Sequence, residues 1–119
     1  MRGNKTVGFT IIELLVVIAI IGIISVILVP TLQGAKTAAS DRSAQAFGHL
    51  VYKAANAYVA SDPSNVAITS TDCRLGYAAG EYSVATANVD LQSCTVSLTS
   101  SGFVAVSVVT SSGRVFDFH

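Results

Sequence analysis

The chain opens with a short polar stretch and then continues as an unbroken apolar run over residues 9–29, in which Glu13 is the only ionisable side chain. About 21 residues rising about 1.5 Å each give roughly 32 Å, enough to cross a hydrocarbon core of about 30 Å. A helix that is apolar on every side is surrounded either by lipid or by other helices. The pattern therefore predicts a membrane-spanning helix over this run.

Beyond Pro30 the apolar positions recur at steps of three and four residues, the period of an amphipathic helix. We expect residues 31–62 to continue the same helix and to end at Asp62, because a residue before proline is disfavoured in helical geometry. The predicted apolar face carries Leu32, Ala35, Ala39, Phe47, Leu50, Val51, Ala54 and Tyr58. The predicted polar face carries Lys36, Ser40, Gln45, His49, Lys53 and Asn56.

In residues 63–119 the composition changes: Ser, Thr, Val and Gly predominate, in short segments of alternating character. Three β-branched or aromatic segments, 94–98, 103–109 and 114–118, are separated by two copies of Thr-Ser-Ser-Gly, which predicts an antiparallel meander with glycine at positive φ in its turns. A weaker strand is expected over 81–89, and residues 64–72 are expected to form a polar loop. About 57 residues are too few for a large independent core. The predicted class is therefore α+β, with the sheet packed on the long helix.

Glu13 is the feature of the apolar run that most needs an explanation. A carboxylate at depth in a bilayer costs about 2.5–3.5 kcal/mol on insertion scales, so such a residue is functional by default and calls for a cationic partner. Two opposite charges about 4 Å apart attract by about 4 kcal/mol at an effective dielectric near 20, before desolvation is subtracted.

Residues 8–24, which read G-F-T-I-I-E-L-L-V-V-I-A-I-I-G-I-I, follow a basic start with Arg2 and Lys5. This string resembles the class III signal and N-terminal helix of type IV pilins and pseudopilins. The resemblance implies a leader, residues 1–8, that a prepilin peptidase removes after Gly8, followed by N-methylation of Phe9. Residues 9–30 would then serve first as a membrane anchor and later as the core of a filament.

The same resemblance assigns roles to further residues of the helix. It implies that Glu13 pairs with the Phe9 amine of a neighbouring subunit, although an amine and a carboxylate four positions apart also permit a pair within one chain. Gly22 and Pro30 would bracket a stretch that unwinds in the filament; a simple kink is the alternative, since Gly and Pro cost about 1 and 3 kcal/mol in a helix.

The implied topology places the C-terminal head outside the cytoplasm, first at the bacterial inner membrane and then in an extracellular pilus or a periplasmic pseudopilus. Disulfides persist in such compartments. We therefore expect a Cys73–Cys94 bond, worth about 3 kcal/mol for a loop of about 21 residues; the alternative is two buried thiols.

Charge and composition favour assembly over catalysis or nucleic-acid binding. The chain has seven basic and seven acidic side chains, and removal of Arg2 and Lys5 leaves five against seven, a mildly acidic product that argues against DNA binding through bulk charge. A local patch of Arg74, Arg114 and Lys53 with Tyr77 or Tyr82 remains open, although a solvated surface explains these residues more simply. No catalytic constellation stands out, and no metal or cofactor is expected, because His49 and His119 lack ligand spacing with the two cysteines.

Three functions remain open at this stage. The first is a type IV pilus subunit that polymerises through its N-terminal helix, with other pilins, the prepilin peptidase and an inner-membrane assembly platform as partners, and adhesion, twitching motility or DNA uptake as outputs. The second is a pseudopilin of a type II secretion system. By the resemblance, major pseudopilins of such systems usually carry a C-terminal calcium site; residues 111–119 lack the acid cluster that such a site needs, which favours the pilus. The third is an anchored envelope domain that never polymerises.

Two ordinary interpretations of the N-terminus fit less well. The apolar run is too long for a secretory signal peptide, and a plain membrane anchor leaves Glu13 unexplained.

Overall fold

The computed structural model describes residues 8–62, 64 and 71–119. These residues form one helix, α1 (Ile11–Ser61), and the strands β1 (Thr71–Asp72), β2 (Tyr77–Ala79), β3 (Tyr82–Val84), β4 (Leu91–Leu98), β5 (Val104–Thr110) and β6 (Val115–Phe118). The chain divides into two compact units, residues up to Ala35 and Lys36–His119. The fold is the expected α+β arrangement, one long N-terminal helix with a small antiparallel sheet packed on its second half, and it is consistent with a pilin-like fold.

The predicted meander is confirmed. Strands β4, β5 and β6 pair antiparallel in sequence order, with Val96 opposite Val106 and Val106 opposite Phe118. Both turns contain the predicted glycine at positive φ, Gly102 at 81° and Gly113 at 83°. β4 begins three residues earlier than expected, at Leu91. The chain reversals that build the sheet are therefore encoded locally, in the two Thr-Ser-Ser-Gly turns.

The region before β4 differs from the prediction. The strand expected over 81–89 is a strand only at Tyr82–Val84, because its partner across the turn, Tyr77–Ala79, is itself three residues long. Thr71–Asp72 were expected in a loop but form β1, which pairs with β4 at the edge of the four-stranded sheet, in the order β1-β4-β5-β6. The rest of the expected loop, apart from Ser64, lies outside the described residues.

The helix ends at Ser61, one residue before the predicted end. The Asp62 carboxylate accepts hydrogen bonds from the backbone N–H of Ser64 at 2.8 Å and from its hydroxyl at 2.7 Å. These bonds hold the pKa of Asp62 below its usual value. The chain thus leaves the helix in a turn that the Asp62 side chain closes, as short polar side chains commonly do.

The core joins one face of the helix to the inner face of the sheet. Ala44, Val51 and Ala55 are fully buried, and Phe47 is 6% exposed. The sheet contributes side chains that alternate along its strands, as strand geometry requires. The sheet-side members of this core are Cys73, Tyr77, Cys94, Val96, Val104, Val106 and Val108.

The predicted apolar face of the helix is partly wrong. Phe47 and Val51 are buried as expected and Tyr58 is half-buried, but Leu50 is 55% exposed. Leu32, Ala35 and Ala39 are exposed as well. Leu50 lies about 100° around the helix from Val51, so a face centred on Ala44 and Val51 cannot include it. The spacing of apolar residues fitted two faces, and packing against the sheet selected one of them.

A polar contact also ties the helix to the sheet. Asp41 is 6% exposed, and its Oδ1 accepts a hydrogen bond of 2.7 Å from the Ser112 hydroxyl in the β5–β6 turn. Its Oδ2 lies 3.5 Å from Arg114 Nε. Thr110 Oγ1 shares a 2.7 Å hydrogen bond with Ser112 Oγ and accepts one from the Arg114 N–H at 3.1 Å. The buried carboxylate is therefore paired and hydrogen-bonded, as burial of a charge requires.

Candidate functional site at the start of the helix

The predicted processing junction lies in non-helical backbone. Gly8, Phe9 and Thr10 precede the first helical residue, Ile11, and all three are exposed, Phe9 by 74%. The residues before Gly8, which are predicted to form a leader, fall outside the described residues. The Gly8–Phe9 bond is thus outside the hydrogen-bonded helix, where a peptidase reaches a chain most readily.

Thr10 and Glu13 form a capping box at the helix start. Glu13 Oε2 accepts hydrogen bonds of 2.9 Å from both the Thr10 N–H and the Thr10 hydroxyl. In return, the Glu13 N–H donates to Thr10 Oγ1 at 3.3 Å. This reciprocal pattern satisfies backbone donors that otherwise have no partner at a helix N-terminus. Glu13 therefore has a structural role within its own chain.

Sequence reasoning missed Thr10 as a partner of Glu13. The signal was present, because a Thr followed three residues later by Glu at the head of an apolar run is the sequence signature of a capping box. The predicted partner was instead the amine of Phe9. In the structure the hydrogen-bond partner of Glu13 is Thr10, and Phe9 lies in non-helical backbone before the helix.

Capping uses only one oxygen of the Glu13 carboxylate. Both bonds from Thr10 reach Oε2, and within the described part of the chain Oε1 accepts no hydrogen bond. The ion pairs among those same residues are Arg74–Asp72 and Arg114–Asp41, so Glu13 has no cation beside it there. Among the residues that the structure describes, one oxygen of the Glu13 carboxylate thus has no hydrogen-bond donor.

The helix that follows exposes its apolar side chains on every side. From Phe9 to Leu32 the large apolar residues are 45–79% exposed. α1 is the one helix among the described residues that is long and apolar enough to cross a membrane. Such a surface is stable in lipid or against other apolar helices. Removing apolar surface from water is favourable by roughly 25 cal/mol per Å².

Gly22 and Pro30 both lie inside the helix, which continues through them. Two hydroxyls in this stretch bond to carbonyls of the preceding turn: Ser25 Oγ to Ile21 O at 2.7 Å, and Thr31 Oγ1 to Leu28 O at 2.8 Å. These bonds satisfy polar groups that hydrocarbon cannot solvate. The helical state of this stretch is the one expected in a membrane; its unwinding in a filament stays a prediction.

The predicted disulfide is present. Cys73 and Cys94 are joined, with Cα atoms 5.0 Å apart, and both residues are buried. They lie opposite each other, one position beyond the paired residues Asp72 of β1 and Thr95 of β4. The Cys73 N–H donates a hydrogen bond to Cys94 O at 3.0 Å. The bond therefore fixes the short edge strand β1 to the central sheet.

The basic patch considered from the sequence is not assembled. Arg74 is engaged by Asp72, with Nη2 to Oδ2 at 2.7 Å, and Arg114 by Asp41. Tyr77, one of the proposed aromatic partners, is 5% exposed. Among the residues that the structure describes, no three His, Cys, Asp or Glu side chains converge on a metal-sized site.

Comparison with protein-family models, with curated proteins and with solved structures finds no match to this chain.

Proposed function

We propose that this protein is a structural subunit of a type IV pilus, which polymerises through its N-terminal helix after a leader is removed between Gly8 and Phe9. The observation that carries the proposal is the combination at the helix start. A non-helical, exposed Gly8–Phe9 bond directly precedes a carboxylate at the head of a helix that is apolar around its whole circumference.

Cleavage would create a positively charged amine at Phe9. Within the described residues Glu13 Oε1 accepts no hydrogen bond, so in a neighbouring subunit it would accept one from this amine while Oε2 keeps its bonds to Thr10. Capping and pairing are therefore compatible in one carboxylate. Because the capping box alone would suit a monomeric anchor, the charge of Glu13 does not by itself require polymerisation; the junction and the exposed apolar surface supply the rest of the support.

Transfer from membrane to filament replaces one apolar surrounding by another. The exposed apolar surface of residues 9–32 would contact lipid before assembly and other copies of itself afterwards. The unit Lys36–His119, which joins the second half of the helix to the head, has its own core and disulfide, so it can stay folded during this transfer.

Electron microscopy of cells with and without the gene, together with mass analysis of the envelope protein, tests the proposal. We expect fibres to be lost with the gene and the mature product to begin at an N-methylated Phe9. Loss of protein secretion with no change in fibres would assign the chain to a secretion pseudopilus instead. A product that retains the leader throughout the envelope would contradict both assignments.

A further inference from the structure

The Cys73–Cys94 disulfide is shielded from solvent at both of its residues. Cys73 is 0% exposed and Cys94 is 1% exposed, and both belong to the buried cluster that joins the helix to the sheet. Thiol–disulfide exchange requires a thiolate to reach one of the two sulfur atoms directly. A soluble thiol can therefore attack this bond only after the head opens.

Backbone hydrogen bonds hold the segment around Cys73 in place. The edge strand β1 pairs with β4 through two residues, and Cys73 comes directly after it. The Cys73 N–H donates to Cys94 O at 3.0 Å, and the Gly76 N–H donates to Cys73 O at 3.1 Å. The Arg74 N–H donates to Asp72 Oδ1 at 3.0 Å. Once β1 pairs with β4, the Cys73 side chain is thus committed to the core.

Formation of the bond needs an oxidant from outside the chain. The sequence contains two cysteines, and both are in this bond, so no third cysteine can exchange with them. Joining the two thiols releases two protons and two electrons. A disulfide on another molecule accepts both electrons: one cysteine thiolate attacks it, which forms a mixed disulfide and releases one thiol. The other cysteine thiolate then attacks the cysteine sulfur of the mixed disulfide and displaces the second thiol.

We propose that an external disulfide oxidant joins Cys73 and Cys94 while the head is still an open chain, before β1 pairs with β4, and that the completed sheet then closes the bond to exchange. The mixed disulfide carries the oxidant on a cysteine, and residues that are 0% and 1% exposed leave no room for it. The bond is therefore a one-way step in maturation and not a reversible redox switch. This order concerns the head alone and does not require that copies polymerise.

Reduction of the purified full chain in detergent tests whether the folded head closes the bond. Ser101→Cys, at an exposed position in the β4–β5 turn, is first joined to glutathione, so that one molecule carries an exposed and a buried disulfide. Dithiothreitol is added with and without unfolding concentrations of urea, and alkylation with mass analysis follows both bonds. We expect Cys73–Cys94 to be reduced about a hundredfold or more slowly without urea, because only the opened head reacts.

The mixed disulfide at position 101 is the matched control for this measurement. It is exposed with and without urea, so it corrects for the effect of urea on the exchange reaction itself. A difference smaller than a hundredfold after that correction would overturn the inference, because the folded sheet would then not protect the bond.

Oxidation of the reduced wild-type chain tests the order of the two steps. One sample receives oxidised glutathione in urea; another is first diluted into detergent without urea and then receives the oxidant. A cysteine-containing peptide in the same two solutions corrects for the effect of urea. We expect the bond to form about tenfold or more slowly in the diluted sample, where β1 already pairs with β4.

Near-ultraviolet circular dichroism of the diluted sample shows whether the reduced chain has folded. A reduced chain that lacks the native spectrum supports the same order, because the bond must then come before the sheet. A reduced chain that has the native spectrum and still oxidises less than tenfold more slowly would overturn the inference.

Discussion

Gly48 lies directly beneath the ring of Phe118, so that a Cβ atom at position 48 would come within 2.5 Å of Phe118 Cε2. The same Cβ would lie 2.9 Å from Val108 Cγ2. Phe118 also contacts the rings of His49 and Tyr52, with centroids 5.8 and 6.4 Å away. A glycine in a helix interior costs about 1 kcal/mol, and here it lets the C-terminal strand approach the helix backbone.

Gly48→Ala should therefore destabilise the head by about 1–3 kcal/mol, because overpacking outweighs the gain in helix propensity. Thermal unfolding of the full chain in detergent, followed by near-ultraviolet circular dichroism, measures the change. In a Phe118→Leu background the same substitution should cost less, since the atoms nearest to the new Cβ are gone. An equal or greater cost in that background would contradict this account of Gly48.

Ser112→Ala should destabilise the head by about 1–3 kcal/mol, because it leaves the buried Asp41 carboxylate without its 2.7 Å hydrogen bond. Ser111→Ala, at the exposed neighbouring position, is the matched control and should have little effect. Arg114→Ala should cost less than Ser112→Ala, because the Arg114 side chain is 71% exposed and its ion pair is screened by water. Urea unfolding of the three variants gives the order, and equal losses would show that the hydrogen bond is unimportant.

Cys73→Ser should lower the free energy of unfolding by about 3 kcal/mol, the value expected for opening a loop of about 21 residues. Reductant should destabilise the wild type by a similar amount and leave the variant unchanged. Cys73 is fully buried, so Cys73→Ala serves as an apolar control for placing a hydroxyl in the core. Unfolding of the wild type that is insensitive to complete reduction would show that the bond contributes nothing.

Glu13→Val and Glu13→Gln separate the two roles of this carboxylate. Gln at the third helical position can still accept the capping bonds from Thr10, whereas Val cannot. If charge pairing drives assembly, both variants should insert and lose the leader normally but produce few or no fibres. Normal fibres from Glu13→Gln would show that capping, and not charge, is what assembly requires. Fibre counts by electron microscopy, normalised to processed subunit, decide between these outcomes.

Arg74→Gln should raise the pKa of Asp72 towards its ordinary value. Hydrogen bonds from the Arg74 guanidinium, and then from its backbone N–H, hold the pKa of Asp72 below that value. A lowered pKa means that this pair stabilises the fold fully above the ordinary carboxylate range and loses its effect as the pH falls through the lowered pKa. Carboxyl NMR titration measures the shift. Asp62 is the control: its pKa is lowered by Ser64 and should not respond.

Local sequence determined most of the secondary structure. The apolar run, the amphipathic continuation and the break before Pro63 are enough to place a helix that the structure bounds at Ile11 and Ser61. The two Thr-Ser-Ser-Gly turns determine the β4–β5–β6 meander, because a glycine at positive φ reverses the chain with little strain. The Thr10–Glu13 cap is equally local, and its signature was readable in the sequence.

Only the tertiary structure decided which face of the second half of the helix is buried. Leu50 and Val51 are adjacent and both apolar, yet the sheet buries Val51 and leaves Leu50 exposed. The burial of Asp41 and the need for glycine at position 48 depend on Ser112 and Phe118, about 70 residues away along the chain. Periodicity predicts that a helix has an apolar face. Which residues of that face are buried depends on the side chains that contact them, and these come together only when the sheet packs on the helix.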